Sequence, residues 1–210
     1  MAKKAKTEAG EHPLFYNEGL VECYSFWCIS DIFEKMGMHG LPYNDERGLV
    51  NVYGVPKPNY RIFEELSKAG DRRLTVEGEH RTAEILALED DQTVTLFVYN
   101  HDIEERDIKA EEIELTLLGE AKAITMAVID AFHANPIAVW KKQGSPTYPT
   151  PEQITELYRV SELTVLDLPV EKVLSFTAEP EIKIANAVIH FDGKSLLFIL
   201  YHRKAFQTSL

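Results

Sequence analysis

TAEILALEDDQTVTLFVYN, residues 82–100, is two apolar-rich runs joined by the acidic segment EDDQT at 89–93. Alternation with a period of two marks a strand with one face toward a core, and a short polar break between two such runs marks a hairpin turn. The same reading extends outward. RRLTVEG (72–78) precedes it, and EEIELTLLG (111–119) and AKAITMAVIDA (121–131) follow, at spacings near ten residues with Gly, Asp and Asn between them. After a break come TVLDL (164–168), KVLSFTA (172–178), EIKIANAVIHFDG (181–193) and KSLLFILYHRK (194–204). FDGKS (191–195) between the last two reads as a further hairpin turn. Many short strands at regular spacing predict a mainly β chain, an antiparallel β-sandwich.

Two segments depart from this period. In ANPIAVWKKQGSPTYPTPEQITELYRVSEL (134–163), Thr150, Pro151 and Gln153 stand as N-cap, first helical residue and third residue. That is a capping box, in which the cap and third residues bond each other's backbone N–H. A helix is expected there, preceded by a short one at 136–142, so the β domain carries a helical insertion at about 136–162. Before the strands, PNYRIFEELSKAG (58–70) has Tyr60, Phe63 and Leu66 at helical spacing and Pro58 at its first turn. GVPKP (54–58) is a rigid turn, LVNVY (49–53) a short extended piece, and DIFEKMGMHGLPYNDERG (31–48) a loop. GLVECYSFWCIS (19–30) is an aromatic and β-branched strand. Residues 1–18 are polar and are expected to be a mobile lead.

The chain has 210 residues, a net charge of −12 and a pI near 5.1. Such acidity argues against nucleic acid, whose phosphates call for basic patches, and against anionic membrane surfaces. It is compatible with neutral substrates such as sugars. No run of 18 apolar residues occurs, so no membrane span is expected, and MAKKAKTEAG at the N-terminus lacks the apolar core of a secretory signal. Cys23 and Cys28 lie roughly 16 Å apart on one extended strand, too far for a disulfide. Two free thiols suit a reducing, cytoplasmic setting.

Chemistry-bearing motifs are few. The seven histidines are scattered without metal-ligand spacing, so neither a metal nor a cofactor is expected. No glycine-rich phosphate loop and no nucleophile elbow occur. The acidic clusters at 64–65, 89–91, 104–105 and 111–112 fall on a helix face or in turns and read as solvated surface. Trp27 stands out, with Tyr24 and Phe26 just before it and the turn CISDIF just after. It is either a core tryptophan or a platform for the apolar face of a sugar ring.

YSFWCISDIFEKMG (24–37), followed by GLVNVYGVPKPNYRIFEELSKAGDRRL (48–74), resembles the end of the catalytic barrel of glycoside hydrolase family 39, the β-xylosidase family. The segment 134–163 is similar to that family's C-terminal helical region. The resemblance implies that residues 21–29 are the eighth barrel strand, that 57–69 belong to the eighth barrel helix, and that an accessory β-sandwich follows. It divides the chain into the lead at 1–18, a remnant βα unit of a (β/α)₈ barrel at 19–70 and an accessory sandwich at 71–210. Trp27 would be the sugar platform and Glu34 would lie near the substrate hydroxyls. Three departures alter the sugar-contacting loop: Lys35 and Cys28 replace the family's Glu and Thr, and of its glycine-rich stretch only Gly48 is kept.

The resemblance also implies that both catalytic glutamates sit on earlier strands. Before Trp27 the only Asn-Glu pair is Asn17–Glu18, directly ahead of the strand. A whole barrel takes about 250 residues, so the expectation is a chain without the first seven strands, carrying no catalytic residue and inactive alone. An orphaned last strand exposes apolar side chains and unpaired backbone. Residues 19–35 are therefore expected to add to the sandwich edge, to meet a second copy in a homodimer, or to meet a barrel-completing chain, and a xylose-type saccharide is the expected ligand. The alternatives are a sugar-binding or assembly module built on Trp27 and Tyr24, and a glycosidase that works with a partner chain or with Asp31 and Glu34.

Overall fold

A computed structural model describes residues 26, 28–32, 41–43, 48–78, 83–100, 111–117, 121–130, 132–171, 173–178, 184–191 and 199–203. Among them are ten strands and three helices. The chain divides into two compact units, one taking in Ala69–Ala127 and Val165–Leu210, the other Asn17–Lys68 and Val128–Thr164. The helical segment expected within the β domain thus groups with residues 17–68.

The first unit holds two sheets. A six-stranded sheet runs β1 (Arg72–Arg73), β3 (Ala83–Glu89), β4 (Thr93–Asn100), β9 (Ile184–Phe191), β6 (Ala121–Ile129) and β7 (Val165–Leu168). A four-stranded sheet runs β2 (Val76–Gly78), β10 (Ile199–Arg203), β5 (Glu111–Leu117) and β8 (Val173–Ala178). The hairpin predicted at 82–100 is present, with Ala83 opposite Asn100 and Glu89 opposite Val94. Asp90 makes its turn: Oδ1 accepts from the N–H groups of Gln92 and Thr93 at 2.7 Å each, the Asx-turn chemistry that favours aspartate there.

β4 lies between β3 and β9, and every residue from Val94 to Asn100 is buried. Both of its faces are therefore covered. Glu84 opposes Tyr99 in the β3–β4 register and is buried with it; the tyrosine hydroxyl donates to the carboxylate. A buried charge is tolerated only with such a partner.

Three expectations change. RRLTVEG is two strands rather than one, and they enter different sheets. Leu74 between them donates its N–H to Ala87, which holds the chain beside β3 until it leaves for the second sheet. The strands flanking FDGKS do not form a hairpin, since β9 and β10 belong to different sheets. A favourable turn sequence is a local signal, and here β9 pairs with β4 while β10 pairs with β5 and β2. Pairing is antiparallel throughout the described ladders except β10 with β2, which is parallel.

The second unit holds α1 (Pro58–Lys68), α2 (Pro136–Lys142) and α3 (Pro151–Ser161). α3 starts as predicted: Gln153 donates its backbone N–H to Thr150 Oγ1, and Gln153 Oε1 accepts the Thr150 N–H in return. Asn135 caps α2, its side chain accepting the Ile137 N–H. Arg61 of α1 answers the far end of α3, donating from Nε to the Ser161 carbonyl at 2.7 Å. A helix leaves its last carbonyls without intrahelical partners, and a buried end such as Ser161 needs one supplied.

The core of this unit is Tyr43, Val55, Trp140 and Leu157, with Tyr53, Ile137, Val139 and Ile154 packed around it. Tyr43 meets Trp140 edge to face with ring centroids 5.5 Å apart, and the indole N–H donates to the Pro146 carbonyl at 3.0 Å. This is how a buried tryptophan satisfies its polar end. Leu157 is fully buried from the middle of α3. Leu157→Ala is expected to destabilise the protein by about 2–5 kcal/mol, since the lost transfer energy is joined by a cavity. Urea unfolding followed by tryptophan fluorescence measures it, and a loss under about 1 kcal/mol would take Leu157 out of the core.

Candidate functional site

The site is assembled around Ser30, where the predicted strand ends. Ser30 bridges Val50 in parallel, and Val50 bridges Pro56 in antiparallel. Asp31 donates its N–H to the Val50 carbonyl at 3.0 Å, Leu49 donates to Cys28 at 3.1 Å and Lys57 to Leu49 at 2.9 Å. Three short segments, 28–31, 48–51 and 55–57, thus lie side by side. The prolines help to set this up. A residue before proline is steered to extended backbone, and both Val55 and Lys57 precede one.

Asp31 and Lys57 meet at the centre. Both are buried, at 5% and 7% exposure. Lys57 Nζ donates to Asp31 Oδ1 at 2.7 Å and stands 2.6 Å from Oδ2. The Gly48 N–H donates to the same Oδ1 at 2.8 Å. Only glycine fits at 48: a Cβ there would come within 2.4 Å of the Asp31 backbone nitrogen and 2.5 Å of Oδ1. The glycine retained in an otherwise changed loop is thus held by close approach to a buried carboxylate.

Beside this pair, Asn51 is fully buried, and its Oδ1 accepts the N–H groups of Tyr53 and Val55 at 2.9 Å each. That turn passes through Gly54, whose φ of +78° suits glycine and costs other residues strain. Tyr53 and Tyr158 tie the turn down, their hydroxyls donating to the Thr147 and Tyr53 carbonyls. Tyr43 completes the cluster. Burial, and then the charge of Asp31, push its phenol well above the ordinary tyrosine range, against the opposing influence of the Asn51 side-chain amide.

The two residues read as substrate-binding, Trp27 and Glu34, lie outside the described residues, as does most of the predicted strand at 19–25. Their neighbours are placed. Phe26 packs on Phe63 of α1 with centroids 5.1 Å apart, while Ile29 and Ile32 are exposed. Asp31, weighed from sequence as a partner for Glu34, is instead committed to Lys57 and Gly48. Lys57 read only as part of a rigid turn. Its side chain is drawn inward because the carboxylate needs an opposite charge once buried. Its signal was present, since SD and PKP both fall in the segments that carried the resemblance. Among the described residues, no three His, Cys, Asp or Glu side chains gather as metal ligands would.

Residues 14–177 match the family model of glycosyl hydrolases family 39. The chain belongs to this family. Over 145 residues it is 38% identical to a beta-xylosidase from Caldicellulosiruptor saccharolyticus, a match covering 67% of this chain and 30% of that protein. A beta-xylosidase from Geobacillus stearothermophilus is 25% identical over 139 residues, covering 65% and 27%. The chain thus spans about 30% of the length of these relatives. In fold it is similar to a monomeric beta-xylosidase from Caulobacter crescentus CB15, with a TM-score of 0.61 at 20% identity over 84% of this chain and 39% of that one. The family 39 enzyme from Xanthomonas axonopodis pv. citri gives a TM-score of 0.59 at 17% identity, over 84% and 38%.

Substitutions at two places in this unit test its charge contacts. Lys57→Met leaves Asp31 buried without its counter-charge and is expected to cost about 3–5 kcal/mol in urea unfolding. Adding Asp31→Asn should recover part of that loss; equal stability of single variant and wild type would remove the pair from the scaffold. The second concerns Asp130, in the turn before α2. Partial burial works to raise its pKa, but the His133 ring and the backbone N–H groups of Phe132 and His133 outweigh it and hold the carboxyl below its ordinary value. A depressed carboxyl contributes stability that is present above the unfolded pKa, about 3.9, and is lost as pH falls through the folded one. Asp130→Asn is therefore expected to lower the melting temperature at neutral pH and to flatten its decline below about pH 4, as followed by circular dichroism.

Proposed function

We propose that these residues are the C-terminal portion of a β-xylosidase-like glycosidase, and that on their own they do not hydrolyse glycosides. Residues 19–70 are read as the last βα unit of a (β/α)₈ barrel, and the two sheets as an accessory β-sandwich. The observation that carries the reading is the commitment of Asp31. Retaining glycosidases need two carboxyl groups about 5–5.5 Å apart, free to reach the sugar. At the end of this strand the carboxylate that could pair with Glu34 is buried and bound to Lys57. Length supports the same conclusion, since a barrel of about 250 residues exceeds the 210 here.

On this reading Trp27 and Glu34 contribute to a saccharide subsite of the xylose type, and earlier strands contribute the acid/base and the nucleophile. The exposed Phe26, Ile29 and Ile32 are the side chains such strands would cover. Those strands would come from further residues of the same polypeptide or from a barrel-completing chain, with a second copy of this chain as the competing occupant. The direct test is hydrolysis of an aryl β-xyloside by the purified 210 residues beside a Glu34→Gln control. No turnover above background is expected. Turnover that Glu34→Gln abolishes would overturn the reading, because it would mean a complete catalytic site within these residues.

A further inference from the structure

Five polar atoms of the second unit are buried without a hydrogen-bond partner among the described residues, and three of them, Asp31 Oδ2, Tyr43 Oη and Asn51 Nδ2, belong to the site described above. Lys57 Nζ lies close to Oδ2, but its direction of approach makes a hydrogen bond only to Oδ1. Oδ2 keeps electrostatic attraction and an open lone pair. Asn51 Oδ1 faces the N–H groups of Tyr53 and Val55, which fixes the amide orientation and turns Nδ2 the other way, toward Tyr43. Tyr43 shares a core cluster with Val55, whose N–H Asn51 accepts, and Asp31 donates its backbone N–H to Val50, the neighbour of Asn51. The three atoms therefore belong to one neighbourhood, at 5%, 7% and 0% residue exposure for Asp31, Tyr43 and Asn51.

Leaving Tyr43 Oη and Asn51 Nδ2 without a hydrogen bond, and Asp31 Oδ2 with its ion pair alone, incurs a desolvation cost. Native interiors avoid that cost with an ordered water, which typically takes two to four polar partners. We propose that Asp31 Oδ2, Tyr43 Oη and Asn51 Nδ2 bind one internal water molecule that joins the three chain segments they stand on.

The chemistry selects water over an ion. Nδ2 can only donate, Oδ2 can only accept, and a phenol can do either, so the ligand must accept and donate at once. An anion would face the Asp31 carboxylate, and a cation would face the Lys57 ammonium that already balances it. The site ties the strand end at 31 to residue 43 and to the Asn51 turn.

A crystal structure that resolves ordered solvent tests this on the unaltered chain. A peak within about 3 Å of all three atoms is expected. A direct Tyr43 Oη to Asp31 Oδ2 hydrogen bond with no such peak would overturn it. In solution, the Asn51 side-chain amide should show a cross-peak to a long-lived water in NOE and ROE spectra. Tyr43→Phe, which removes one oxygen and keeps the ring against Trp140, should abolish that cross-peak. A folded Tyr43→Phe protein that keeps it at full strength would exclude Tyr43 from the site and overturn the proposal.

Discussion

A carboxylate out of water must be answered, and in the second unit that requirement organises everything near it. Asp31 is answered twice, by the Lys57 ammonium and by the Gly48 amide. Each answer closes a stretch of chain, since Gly48 is 17 residues from Asp31 and Lys57 is 26. The pair need not add much net stability, because desolvating two charges offsets their attraction. What it imposes is specificity: with either partner displaced, a charge is left buried and alone. The strand end at Ser30, the extended pieces at 48–51 and 55–57 and the start of α1 are thereby held in one register.

Around that polar centre the apolar contacts supply the driving force. Val55 leads directly into the PKP segment and is fully buried against the same cluster as Trp140 and Leu157. The helices that carry those two residues are about 80 to 100 positions further along. A β-rich stretch separates the two parts of this unit in the sequence, yet they share one core. Arg61, bonded to the Ser161 carbonyl, adds a polar tie between the same parts. The chain leaves the unit to build sheets and returns to complete it.

The sheets obey a different constraint. β4 is buried along its length and pairs on both edges, so its neighbours are chosen by burial rather than by sequence adjacency. β3 reaches it through a tight turn, and β9 reaches it from about 90 residues away. The parallel pairing of β10 with β2 follows from the same freedom.

Element identity was legible in the sequence because it rests on local rules. Alternation marked β3, β4, β5 and β6, and the Thr150–Gln153 box marked the start of α3, since both are decided by neighbours within a few residues. The family, too, could be read from two ordered stretches. Partners were not legible in the same way. Nothing in GVPKP says that Lys57 turns inward to Asp31, and nothing in FDGKS says that its strands part for different sheets. A side chain's charge is written in the sequence. Whether that charge is exposed as a surface residue or buried as the centre of a unit depends on desolvation, and desolvation exists only once distant segments have closed around it.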